Sequence, residues 1–91
     1  VKAPAPNTAI EKDFQKELQK QKKRLQTLEL DINNTKVQKE NIEQELGNPD
    51  TYTNPAKFAA LETEYKSVQQ KLATLNTEYE TVFEKVLEME S

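Results

Sequence analysis

From Phe58 to Met89 the chain repeats one pattern without a break. Phe58, Tyr65, Leu72, Tyr79 and Val86 recur every seven residues, and Leu61, Val68, Leu75, Val82 and Met89 each follow three residues later. Residues three, four and seven apart share one side of an α-helix, so these side chains form a narrow apolar stripe. No member of the stripe is charged. Such a stripe needs a partner of matching width, which is the arrangement of a coiled-coil seam with these residues at positions a and d.

The partner lies upstream in the same chain. With Leu25 at a, the a positions from Ile10 to Leu46 are Glu11, Leu18, Leu25, Ile32, Lys39 and Leu46, and the d positions are Phe14, Gln21, Leu28, Thr35 and Ile42. Between the stripes stands the only internal cluster of helix breakers, "LGNPDTYTNPAKF", with Gly47, Pro49 and Pro55. Gly47 is placed to end the first helix as a left-handed residue, Pro49 prevents its restart, and Asn54-Pro55 reads as an N-cap followed by Pro at the first helical position. The fold class is therefore all-α, a two-helix antiparallel coiled-coil hairpin. The spacing predicts a helix over about 9–46, a loop over 47–54 and a helix over about 55–90. Residues 1–8, "VKAPAPNT", read as a Pro-rich linker, with Asn7 or Thr8 capping the first helix and Glu11 completing a capping box.

Antiparallel packing sets a against d. Residues whose numbers sum to 107 then pair along the seam, including Leu46–Leu61, Ile42–Tyr65, Thr35–Leu72, Ile32–Leu75, Leu28–Tyr79, Leu25–Val82 and Leu18–Met89. A slip of one heptad, to a sum of 100, also sets a against d, and the loop has to choose between the two. Gln21 and Thr35 interrupt the stripe and are expected to fix register through hydrogen bonds, while Lys39 snorkels along its stem. Phe83, at e, widens the core near the open end. Tyr52, in the loop, is expected to fold back over Phe58 or Leu61.

Composition narrows the function. The chain has 91 residues, 34% hydrophobic and 32% charged, with no His and no Cys. That suits long helices with a narrow core, excludes a disulfide framework and leaves no nucleophile–base pair and no thiolate or imidazole for a metal. No Gly-rich phosphate loop is present, and a two-helix hairpin offers no small-molecule pocket. The reading is of a non-enzymatic segment with no catalytic residue, no metal site and no cofactor of its own. No apolar run is long enough to span a membrane. The lack of Cys fits a cytoplasmic protein. The start at Val1 reads as a fragment of a longer chain, acting as a monomer or weak dimer.

Net charge is −3, but its distribution is uneven. Lys12, Lys16, Lys20, Lys22, Lys23 and Arg24 crowd the start of the first helix, while Glu78, Glu80, Glu84, Glu88 and Glu90 crowd the end of the second. Lys12, Lys16, Lys20 and Lys23 or Arg24 follow at spacings of four and three, one row on the face away from the seam. Such a row can track nucleic-acid phosphates. It can equally be a solvated coiled-coil face whose cations meet Glu78, Glu80 and Glu84 across the hairpin.

The loop and its flanks resemble the C-terminal domain of ABC-F ATPases of the Uup type. The matching residues are Leu46, Asn48, Pro49, Asp50, Tyr52, Asn54, Pro55, Lys57 and Leu61, with Gly47 between the first two. Members often carry a Trp near the C-terminus, where this chain has Phe83. The resemblance implies an accessory arm of a soluble, cytoplasmic protein with two ATP-binding cassettes outside these residues. ATP would be that parent's cofactor, and DNA or the ribosome and its RNA the arm's partner. The architecture also resembles the tRNA-contacting C-terminal arm of valyl-tRNA synthetases, although this loop lacks that arm's Lys-Ala-Pro pattern. A purely structural or protein-docking hairpin is the third reading.

Overall fold

The computed structural model describes the backbone of residues 4–91 and side chains from residue 11 onward. Helix α1 runs Pro4–Leu46, α2 Pro49–Tyr52 and α3 Pro55–Glu90. The chain is all-α, and its two long helices pack along one another in a rod of 78 × 17 × 14 Å. No helix among the described residues is long and apolar enough to cross a membrane.

Burial follows the heptads. The buried apolar residues are Leu18, Leu28, Ile32, Ile42, Val68, Val82 and Val86, every one at a or d. Leu18, Leu28, Val82 and Val86 form one cluster, with Leu25, Leu75, Tyr79 and Met89 packed against it. Cross-helix bonds join Lys22 to Glu90, Arg24 to Glu78 and Glu43 to Tyr65. The partner's number falls as the α1 number rises.

Three local expectations are corrected. First, α1 begins at Pro4 rather than residue 9, so Asn7 and Thr8 lie inside the helix rather than at its cap. The first turn has no intrahelical acceptors for its N–H groups, so Pro4 and Pro6 forfeit no helical bond there. Residues 1–3 of the expected linker lie outside the described residues.

Second, Gly47 is not left-handed. Its N–H donates to Glu43 O at 3.2 Å, and that of Asn48 to Glu45 O at 3.1 Å, so the helix tightens into a final i→i−3 turn without changing hand.

Third, the loop holds a helical turn, α2, and it is Thr51 that is buried while Tyr52 stays 55% exposed. Successive residues of a helical turn point about 100° apart, so the turn that seats Thr51 against the hairpin swings Tyr52 outward.

The polar seam residues do not bond across the seam. Thr35, 2% exposed, donates its hydroxyl to Asp31 O at 2.7 Å, and Gln21 donates to Glu17. Both satisfy themselves within α1, so they do not select the register as expected. Phe83 stays 43% exposed but stacks on Tyr79, with centroids 6.0 Å apart and planes 8° from parallel.

Candidate nucleic-acid interface

The heptad that puts Leu18, Leu25 and Ile32 inward dictates what faces out. Lys12 falls at b, Lys16 and Lys23 at f, and Lys20 at c, all on the outer half of α1, and all four are exposed. Gln15, Lys16, Gln19, Lys20 and Lys23 line one shallow surface along this face.

The structure separates these four from the two other cations of the segment. Lys22, at e, and Arg24, at g, flank the seam. The Lys22 ammonium lies 2.8 Å from Glu90, and Arg24 Nη2 donates to Glu78 Oε2 at 2.8 Å. These are the two salt bridges among the described residues, so Lys12, Lys16, Lys20 and Lys23 take part in neither. Arg24, read from the sequence as an alternative end of the row, is exposed like the lysines and differs from them in reaching Glu78 across the hairpin.

Glu11 and Asp13 flank Lys12, and Glu17 follows Lys16. A hydrogen bond from Gln21 holds the Glu17 carboxyl below the ordinary value, and the charges of Lys20 and Lys85 add to that. Glu17 is thus charged at neutral pH and offsets part of the row's field. Phe14 continues the α1 stripe yet is 39% exposed.

The tip residues have structural roles. Asn48 caps α2 by accepting from Asp50 N–H at 2.9 Å, with Pro49 at the first helical position. Asn54 repeats the device for α3, accepting from Lys57 N–H at 3.3 Å, with Pro55 following. Asp50 lies in the first turn of α2, where a negative charge is favoured. Sequence reasoning missed Thr51, which is fully buried, its hydroxyl without a partner among the described residues. Its signal is weak, because a four-residue helix shows no periodicity. No cluster of His, Cys, Asp or Glu able to hold a metal occurs among the described residues.

Residues 16–84 match the family described as the ABC transporter C-terminal domain. No curated protein and no solved structure matches the chain.

Proposed function

The chain belongs to the ABC transporter C-terminal domain family, and on that premise we propose that it is an accessory arm that grips nucleic-acid phosphates along Lys12, Lys16, Lys20 and Lys23. The arm is an antiparallel coiled-coil hairpin. The contacts Lys22–Glu90, Arg24–Glu78 and Glu43–Tyr65 support that orientation. ATP is handled by cassettes elsewhere in a cytoplasmic parent of the ABC-F, Uup-like kind, and the partner is DNA or ribosomal RNA. The observation that carries this reading is the division of labour among the cations. Those at e and g are engaged by Glu90 and Glu78, while the four lysines on the outer face are exposed and in neither salt bridge.

The contact is electrostatic, so it is weak, blind to sequence and salt-dependent. Four phosphate contacts give a slope near −3.6 in log affinity against log salt on duplex DNA, or roughly 100-fold between ~50 and ~200 mM. The test measures binding of duplex and single-stranded DNA and of structured RNA over that range. Replacing the four lysines by Glu should abolish binding while circular dichroism shows intact helices. Arg24→Gln should change binding little. No binding by the unmodified chain at ~50 mM salt would overturn the phosphate-gripping reading and leave a spacer or protein-docking arm, with exposed Tyr52 at its tip.

A further inference from the structure

The apolar seam does not choose its own register. Sliding α3 by one heptad still sets a against d and replaces Leu28–Tyr79 by Leu28–Leu72 and Ile32–Leu75 by Ile32–Val68, which are equally apolar pairs. Gln21 and Thr35 bond within α1. A slip would have to rebuild the capped tip, and along the helices what differs between registers is the charge pairing on the flank formed by the g positions of both.

We infer that these g-position charges lock the hairpin in one register and reject a one-heptad slip in either direction. The inference rests on the antiparallel reading of the arm. Arg24–Glu78, at 2.8 Å, is one such g–g pair and fixes the offset of the others. That offset sets Glu17 opposite Lys85, Asp31 opposite Lys71 and Glu45 opposite Lys57, with uncharged Gln38 opposite Glu64. Every fully charged pair is attractive. The charge of Lys85 is felt at Glu17, as this offset requires.

A slip toward a sum of 100 sets Glu17 against Glu78, Arg24 against Lys71 and Asp31 against Glu64. A slip the other way sets Arg24 against Lys85, Asp31 against Glu78 and Glu45 against Glu64. Every fully charged pair is now repulsive, in both directions. The e positions agree, since Lys22–Glu90 gives way to Glu43–Glu62 in one slip and Glu29–Glu90 in the other. A single exposed ion pair contributes little. A slip, however, exchanges four attractions for three repulsions at once, and toward a sum of 100 the seam gains Phe14–Val86 only by losing Leu46–Leu61.

The lock bears on the basic face. In the register that sums to 107 Met89 packs at the level of Leu18, within one cluster. The slip to a sum of 100 would carry Met89 to the level of Glu11 and lay Glu84, Glu88 and Glu90 alongside Lys12 and Lys16.

The chain has no cysteine, so introduced pairs report register cleanly. Thr35→Cys combined with Leu72→Cys, Tyr65→Cys or Tyr79→Cys places a crosslink in the native, one slipped and the other slipped register respectively. A heptad moves a residue about 10.5 Å, beyond the reach of a disulfide. With natural charges only the pair at 35 and 72 should close. The triple reversal Glu17→Lys, Arg24→Glu and Asp31→Lys makes three of the four native pairs repulsive and all three sum-100 pairs attractive, so closure should move to 35 and 65. Adding Lys85→Glu, Glu78→Lys and Lys71→Glu should restore 35 and 72, and this sixfold swap decides the matter if the triple variant does not fold. Unchanged closure at 35 and 72 in a folded triple variant overturns the lock but leaves the antiparallel hairpin standing. So does a sixfold swap that folds without recovering it. Failure of all three pairs to close in the natural-charge background overturns the antiparallel reading itself.

Discussion

Leu28→Ala is the sharpest test of the seam. Leu28 is 4% exposed and belongs to the cluster with Leu18, Val82 and Val86. Truncation removes three carbon atoms, worth about 0.8 kcal/mol each in transfer terms, or about 2.4 kcal/mol. A cavity adds to that, but a two-helix seam is open on both flanks and can close part of the gap. The total should therefore fall at the low end of the range for buried Leu truncations, about 2.5–3 kcal/mol. For a chain of this size that lowers the melting temperature by roughly 10–20 °C. Leu30→Ala removes the same atoms two residues away, from a side chain 62% exposed, and should stay within about 0.5 kcal/mol of the parent. Half-buried Leu75→Ala should fall between them. Urea unfolding followed by circular dichroism gives the three values. Equal destabilisation by Leu28→Ala and Leu30→Ala would refute the heptad assignment on which every facing argument above depends.

Gly47→Ala should be neutral or stabilise by about 0.4–1 kcal/mol, because Gly47 is not left-handed and an added Cβ meets only Gln44 O at 3.6 Å and Glu43 O at 3.7 Å. A melting temperature several degrees lower would mean that the helix end needs glycine after all. The Tyr65 hydroxyl donates to Glu43 at 2.6 Å, and that bond, chiefly, pushes its ionisation above the ordinary value of 10.0. A raised folded-state value means the contribution is complete below pH 10 and disappears as pH rises through the folded value. Absorbance titration should show one of the three tyrosines ionising late, and Glu43→Gln should bring it back among the others.

The seam was legible because it is periodic. Each buried apolar residue sits where a count of seven puts it, and the rule needs no knowledge of the partner helix. The start of α1 was misread because Pro is a breaker only where a helical N–H is needed, and Pro4 and Pro6 occupy the one turn where it is not. The tip was misread because Thr51 and Tyr52 trade places according to a single turn of backbone, too short to leave a pattern.

The cations show the same divide within one helix. Lys16, Lys20 and Lys23 are exposed because α1 alone puts f and c outward, and that much is local. Arg24, one residue beyond Lys23, faces the flank, and its partner Glu78 lies 54 positions away in sequence. The heptad letter g already separates Arg24 from the row, but only a partner strand of charges says what a g residue is for. A row read by spacing alone therefore mixes cations that hold the hairpin together with cations turned to solvent. Arg24→Gln against the lysine reversal distinguishes them, since the first should remove the Glu78 salt bridge and leave phosphate binding in place, while the second should abolish that binding.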